Sequence, residues 1–275
     1  MEYIDIHAHV NVASFKDDHD EVTLRSLEKN VAMINVGTQL DTSKRAVEMT
    51  GVYPKGVYAT VGLHPTHVAN CHFDRDELEK SEYKEQGEEF DFDAYKELCN
   101  HERVVAVGEC GLDYFQNPSK EDRKLQRKAF EAQIELANEV GKPLMLHIRN
   151  GKEGNAYEEA FDMIKSLAKV RGNAHFFAGT LEDAKKFWGL GYSTSFTGVI
   201  TFTHDYDEVV RSAPNNLIHA ETDAPYVAPV PHRGKRNEPA SVTEVVKRMA
   251  EIRDIAEDML KIQLFENAQD MFGVE

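Results

Sequence analysis

Histidine and acidic residues recur at the ends of short apolar runs along this chain, where they could bind metal ions. The set comprises His7, His9, His64, Glu109, His147, His175 and Asp223. Imidazole nitrogens combined with carboxylate oxygens suit divalent ions such as zinc, manganese and magnesium. A single histidine at the end of a strand is commonly structural. Seven such groups at the same end of six predicted strands indicate a metal site.

The first two histidines are separated by one residue, within the sequence YIDIHAH. Residues i and i+2 of a β-strand point to the same side, so the side chains of His7 and His9 can bind one ion together. A surface or tag-like pair is disfavoured because Ile4 and Ile6 alternate with polar residues, as they do in a buried strand.

These groups can meet only if the chain folds into parallel strands whose ends share one edge. Eight apolar runs rich in β-branched residues are predicted strands: residues 3–7, 31–37, 56–63, 104–109, 143–148, 173–177, 192–198 and 217–222. Amphipathic stretches such as 120–140 lie between them, and Gly141 with Pro143 predicts the end of that helix.

Eight β-α units predict an α/β protein with one (β/α)8 TIM-barrel domain over residues 1–275. Active sites of such barrels lie at the C-terminal rim of the strands, where the metal site is expected. An open doubly wound sheet is the competing fold. The absence of a G-x-G-x-x-G turn after the first strand counts against its dinucleotide-binding form.

Composition narrows the function classes. The 275 residues include 48 acidic and 32 basic ones, a formal net charge of −16, which disfavours a broad nucleic-acid-binding surface. A phosphodiester substrate would therefore be held by bound metals or a few arginines. No apolar run is long enough to span a membrane, and the three cysteines form no C-x-x-C motif. We expect a cytoplasmic monomer with no membrane association and no obligate protein partner.

One segment departs from the alternation of strands and helices. Residues 70–93 contain ten acidic and three basic residues and follow the third predicted strand. This predicts a solvated insertion on the catalytic rim. A lid or an electrostatic guard over the site is the alternative.

Four segments of the chain resemble the TatD family of metal-dependent deoxyribonucleases, within the amidohydrolase-like barrels. They are VGECGLDYF (107–115), PLMLHIR (143–149), HFF (175–177) and ETDAPYVAPVPHRGKRNEPA (221–240). The resemblance runs from Tyr3 to about Phe272. It implies a barrel that binds two divalent ions (magnesium, manganese or zinc).

The resemblance also implies a division of the ligands between the two ions. The first ion would be held by His7, His9 and Asp223, the second by His147 and His175, with Glu109 bridging both. Six ligands are more than one catalytic ion binds while it keeps an open position, which also favours two ions.

Three positions depart from the family pattern. Ile6 replaces a small residue, Cys110 replaces a threonine and Phe176 replaces a cysteine. All six implied ligands are present, so these departures concern the tuning of the ligands and the fit of the substrate. Cys110 is expected to be a small packed residue, with a thiolate ligand as the alternative.

Further roles are assigned to residues beside the implied ligands. Asp223 is a candidate general base, or a ligand alone, and Glu109 is catalytic as the bridge. His64 would donate a hydrogen bond to a substrate phosphate, or cap its own loop. Arg149 shares the direction of His147 and suits a phosphate contact, or a salt bridge on the rim. Arg233, in the basic run 232–236, would contact the substrate backbone or lie in a solvated loop.

The function predicted from these observations is a divalent-metal-dependent phosphodiesterase that acts on DNA. The resemblance favours a 3′-5′ exonuclease on single-stranded ends. A lactonase, an esterase or a small phosphoester hydrolase with the same two ions is the main alternative, because such ions polarise a carbonyl as readily as a phosphoryl group. A barrel with structural metals alone is disfavoured, since the ligand set lacks cysteine.

Overall fold

The computed structural model describes residues 1–68, 87–115 and 117–275, and its strands form one parallel sheet in chain order. The strands are β1 Tyr3–Ala8, β2 Val31–Val36, β3 Val57–Val61, β4 Val104–Asp113, β5 Leu144–Arg149, β6 Gly172–Ala174, β7 Ser193–Phe196 and β8 Ile218–Ala220. The helices are α1 His19–Glu28, α2 Leu40–Val52, α3 Phe92–Cys99, α4 Lys120–Val140, α5 Ala156–Leu167, α6 Leu181–Gly189, α7 Asp207–Ser212, α8 Val242–Arg253 and α9 Glu257–Phe272. The predicted TIM-barrel fold is confirmed.

Local sequence explains where the longest helix begins and ends. The Ser119 hydroxyl accepts a hydrogen bond from the Asp122 backbone N–H, and the Asp122 carboxylate accepts one from the Ser119 N–H, so α4 starts with a capping box. The helix ends at Gly141, which adopts the left-handed conformation that favours glycine. This is the stop predicted from the sequence.

The first and last strands meet at their C-terminal ends and bring the sheet close to a closed barrel. The backbone N–H of His9 donates to the Ala224 carbonyl at 2.8 Å, and that of Asp223 donates to the His7 carbonyl at 2.9 Å. The buried carboxylate of Asp5 accepts hydrogen bonds from both the backbone and the hydroxyl of Thr222. Three predicted metal ligands thus lie along this seam.

The opposite end of the barrel is apolar. Residues near the starts of β1 to β5 pack against the end of α9 in what we call the basal cluster. Its buried members are Ile4, Ile6, Ala32, Ile34, Tyr58, Val105, Ala106, Met145, Ala268, Met271, Phe272 and Val274. A larger apolar core fills the space between the strands and the surrounding helices. The barrel therefore has an apolar base below the predicted site.

Strand boundaries differ from the prediction in an informative way. β4 was expected to end at Glu109 but continues to Asp113, whereas β6 ends at Ala174, so His175 follows the strand instead of lying within it. β4 continues because a register shift between Val107 and Cys110 is absorbed and pairing with β5 resumes.

Most of the predicted acidic insertion 70–93 lies outside the described residues, and its role stays a prediction. Within the described residues, Asp91 caps the start of α3. No helix in the described part of the chain has the length and apolar character needed to cross a membrane.

Candidate metal centre

The seven predicted groups come together at the C-terminal ends of the strands, and we call them the rim cluster: His7, His9, His64, Glu109, His147, His175 and Asp223. The Glu109 carboxylate lies between two sets of imidazoles. Its Oε1 is 2.8 Å from His175 Nε2, 2.9 Å from His147 Nδ1 and 3.3 Å from His64 Nε2. Its Oε2 is 3.3 Å from His7 Nε2 and 3.6 Å from His9 Nε2. Each oxygen faces a different set, as a bridging ligand requires.

The backbone of β4 brings Glu109 to this position. Gly108 has φ of +146°, and a Cβ there would lie 2.3 Å from the Met145 carbonyl oxygen, so a side chain is excluded. The Glu109 N–H leaves the regular sheet pattern and donates to the Gly37 carbonyl at 3.0 Å. This local irregularity allows a carboxylate to reach the middle of the rim.

His9 and Asp223 form an arrangement of atoms that calls for a cation. His9 Nδ1 lies 3.0 Å from the Val36 carbonyl, so in the neutral ring it carries the proton and Nε2 keeps a lone pair. That Nε2 is 3.1 Å from His7 Nε2 and 3.4 Å from Asp223 Oδ1. The His9 Nε2 lone pair and the Asp223 carboxylate oxygen are both acceptors, and at 3.4 Å they repel unless a positive charge lies between them. The donor set therefore fits a divalent ion.

Electrostatics favour the ligand forms of two of these side chains, His7 and Glu109. Burial, followed by the nearby charge of His175, lowers the pKa of His7 to about 3, so its imidazole is neutral and able to bind metal. Burial opposes ionisation of Glu109, but its interactions with the surrounding histidines, the charge of His175 first, outweigh burial and hold the pKa of Glu109 well below the usual range.

His147 is oriented by a carboxylate that the sequence analysis missed. Its Nε2 lies 2.8 Å from Asp113 Oδ2, which directs Nδ1 toward Glu109. Burial raises the pKa of Asp113, but its hydrogen bond with His147 outweighs this and lowers the pKa to about 2. Asp113 lies four residues after Glu109 on one strand and hence on the same face, a signal that the sequence contained.

A second carboxylate without a predicted role is Glu221, which is fully buried. Its Oε1 accepts a hydrogen bond from the Phe176 N–H at 2.5 Å and lies 3.6 Å from His175 Nδ1. Its Oε2 accepts a hydrogen bond from the Ser195 hydroxyl at 2.7 Å. Glu221 thus holds the backbone next to His175 in place.

The two ring nitrogens of His64 face different groups. Its Nδ1 accepts from the Thr66 N–H at 3.2 Å and caps the 3-10 turn Pro65–His67. Its Nε2 points to Glu109 Oε1 and therefore carries a proton that it can donate. Burial lowers the pKa of His64, which keeps the ring neutral.

The rim cluster opens into a cleft of about 590 Å³ that also contains Arg149. Across residues 1–68, 87–115 and 117–275, Arg149 makes no ion pair. Its guanidinium lies 3.6 Å from the centroid of the Phe115 ring. A salt bridge on the rim is therefore not found among these residues.

The basic run 232–236, unlike Arg149, does not line the cleft within the described residues. Arg233 stacks over Phe202 at 4.0 Å, donates to the Ala228 carbonyl and is not among the described residues that line the cleft. Arg236 forms an ion pair with Asp18 at 2.5 Å and ties this loop to the start of α1.

The three departures from the family pattern have different surroundings. Cys110 is buried with its Sγ 3.6 Å from the Met145 carbonyl, and burial raises the pKa of its thiol, which agrees with a packed residue. Ile6 belongs to the basal cluster. Phe176 lines the cleft and has φ of +41°.

Comparisons with known proteins agree with this geometry. The family model described as TatD related DNase matches residues 4–273. An uncharacterized metal-dependent hydrolase of Bacillus subtilis, YabD, is 34% identical over 98% of both chains. One of Escherichia coli, YcfH, is 28% identical over 100% of this chain and 97% of its own.

Solved structures show the same fold. The crystal structure of YjjV, a TatD homologue from Escherichia coli, superposes with a TM-score of 0.82 at 25% identity and covers 100% of this chain and 99% of its own. A TatD-family hydrolase from Entamoeba histolytica gives a TM-score of 0.78 at 23% identity, covering 98% of this chain and 97% of its own.

Proposed function

Because this chain belongs to the family of TatD-related DNases, whose members include metal-dependent hydrolases, we propose that it hydrolyses phosphodiester bonds of DNA as a 3′-5′ exonuclease on single-stranded ends. The observation that carries the proposal is the Glu109 carboxylate, whose two oxygens face two separate sets of histidines at the mouth of the barrel. A carboxylate placed in this way can bridge two ions, and two neighbouring ions can stabilise both the attacking and the leaving oxygen of a phosphodiester.

We assign the ligands of two divalent ions as the resemblance implies. His7, His9 and Asp223 would hold one ion, His147 and His175 the other, and Glu109 would bridge them. Magnesium, manganese and zinc all suit this mixture of imidazole and carboxylate. Bound ions would supply the positive charge that activates water and stabilises the phosphoryl oxygens.

The remaining steps fall to side chains that face the cleft. Asp223, with a 13% exposed side chain, is proposed to take the proton of the attacking water. The His64 Nε2–H is proposed to donate to a phosphate oxygen, and Arg149 to contact the phosphate. Arg233 is proposed to contact the substrate backbone beyond the described lining of the cleft.

A second candidate is a lactonase, an esterase or a small phosphoester hydrolase. It is favoured by the net charge of −16, together with a cleft to which Arg149 contributes but the basic run does not. Such a site needs no contact with a long polyanion.

The test is digestion of a single-stranded DNA oligonucleotide labelled separately at each end. Apo protein is compared with protein loaded with magnesium, manganese or zinc, and Glu109→Gln serves as the contamination control. Stepwise shortening from the 3′ end, absent in the apo protein and in the variant, is expected. No digestion despite full metal content would favour the second candidate.

Salt dependence offers a further discrimination. With few cations at the cleft, we expect about two to four phosphate contacts, which gives a slope of log affinity against log salt of about −1.4 to −2.8 for a single strand. A slope implying about eight contacts would contradict this site. A small-ester hydrolase would hardly respond to moderate salt.

The cytoplasmic location and the monomeric state stay predictions. Cell fractionation and light scattering of the purified protein would test them.

A further inference from the structure

An exposed aromatic residue lies beside the metal centre at the mouth of the cleft. Phe115 is 48% exposed and lines the same cleft as Glu109 and His147. A single exposed apolar side chain has no special meaning in a protein of this size. Its significance here depends on what holds it and on what covers its ring.

The position of Phe115 is tied to the metal centre by one carboxylate. Asp113 Oδ1 accepts a hydrogen bond from the Phe115 N–H at 2.8 Å, while Asp113 Oδ2 lies 2.8 Å from His147 Nε2. The same side chain therefore positions a predicted metal ligand and the aromatic ring. The backbone that carries the ring is therefore fixed relative to the metal centre.

Arg149 stacks on one face of the Phe115 ring. The backbone N–H of Tyr114 donates to the Arg149 carbonyl at 2.8 Å, which holds the two strands together at this point. The Arg149 guanidinium lies 3.6 Å from the centroid of the Phe115 ring and makes no ion pair within the described residues. Phe176, Tyr206 and Tyr226 also line this cleft.

We propose that Phe115 and Arg149 form a stacking platform for the nucleobase next to the scissile phosphodiester, so that the enzyme selects strand ends with an unpaired base. Nucleobases stack on aromatic rings and on guanidinium planes irrespective of their identity. Arg149 adds positive charge close to the phosphate. A base paired in a duplex cannot present its face to this platform. This proposal rests on the DNase function proposed above.

The experiment compares three single-stranded oligonucleotides: one intact, and two that lack the base at the 3′-terminal or the penultimate residue. Base stacking contributes about a 5- to 150-fold effect per base by alanine substitution. The wild type should lose that factor in kcat/KM on at least one abasic oligonucleotide. In Phe115→Ala, kcat/KM on the intact oligonucleotide should fall by the same factor. The ratio of kcat/KM between the intact and the abasic oligonucleotide, which we call the abasic penalty, should then disappear.

Two further variants separate stacking from a general loss of structure. Phe115→Trp should restore the abasic penalty because it restores a flat ring. Met259→Ala, at a residue that is 69% exposed on α9 and lines a different hollow, should behave as the wild type. Binding of the intact and abasic oligonucleotides in EDTA should show the same pattern without turnover.

The possible failures are distinguishable. If the wild type degrades the oligonucleotides and Phe115→Ala keeps the full abasic penalty, the platform is wrong and the DNase proposal stands. If the wild type neither degrades nor binds any of the three oligonucleotides, both proposals fail together.

Discussion

The rim cluster and the basal cluster lie at opposite ends of the same barrel, and both are largely shielded from solvent. At the rim, imidazoles crowd around Glu109 at 2.8 to 3.6 Å. At the base, the starts of β1 to β5 pack apolar side chains against Phe272 and its neighbours. The comparison shows that strands of this sheet begin in a region that stabilises the fold and end in one built for chemistry. Substitutions at the two ends should therefore have separable effects.

The largest expected effect is the loss of activity in Glu109→Gln. An amide can neither bridge two cations with two anionic oxygens nor balance the surrounding histidines, so hydrolysis should fall below detection and metal content should drop. The far-UV circular dichroism spectrum should match that of the wild type. Glu131→Gln, at an exposed position on α4, is the matched control. Full activity in Glu109→Gln would refute the bridging role.

The converse substitution is Phe272→Ala in the basal cluster. Phe272 is 4% exposed, and truncation of a buried phenylalanine costs about 3–5 kcal/mol of unfolding free energy. Metal content at low temperature should be unchanged. Urea unfolding measures the loss, with Met259→Ala on the same helix as a control expected to stay within about 0.5 kcal/mol. A loss of metal binding in Phe272→Ala would show that the two ends are coupled.

A smaller effect is expected from Asp113→Asn, which tests how the rim is supported. Both oxygens of Asp113 face N–H groups, those of Phe115 and His147, and the amide nitrogen of asparagine would repel one of them. Loss of such an orienting partner lowers metal affinity by about 10- to 100-fold. Calorimetric titration of apo protein with manganese measures the change. Asp258→Asn, with an 86% exposed side chain, should bind as the wild type does.

The smallest effect concerns His219, a titratable residue next to the basal cluster. Its ring lies 5.7 Å from that of Phe272, and neither nitrogen has a hydrogen-bond partner among the described residues. Burial, followed by the charge of Arg171, lowers its pKa to about 3. The unfolded chain binds a proton near the ordinary pKa of about 6.5 while the native state does not, so stability falls as the pH drops below that value.

The lowered pKa of His219 predicts a measurable difference in pH-dependent stability between the wild type and His219→Leu. From pH 7 to pH 5.5 the wild type should lose about 1 kcal/mol of unfolding free energy through His219, and His219→Leu should not lose that part. Denaturant unfolding of both proteins at the two pH values isolates it, because the other titrating groups are shared. An identical loss in both proteins would mean that His219 is protonated in the native state.

Much of the rim could be predicted because parallel strands align their C-terminal ends, so residues such as His7 and His147 meet whatever the details of the loops. Asp113 was missed because the predicted strand ends at Glu109. In the structure, the register of β4 shifts near Gly108 and the strand then continues to Asp113, and this shift depends on the close packing of Gly108 against β5. The stacking of Arg149 on Phe115 and the pairing of Arg236 with Asp18 join distant segments, and no local pattern predicts such contacts.

The seam between the first and last strands has a consequence for how the protein is made. Asp5 and Thr222 are 217 positions apart, and the ligands on either side of their hydrogen bonds are separated by nearly the same length of chain. During synthesis, a nascent polypeptide holds His7 and His9 long before Asp223 emerges from the ribosome. The hydrolytic centre is therefore assembled last, because an unfinished chain carries the ligands of β1 without the residues that pair with them at the end of β8.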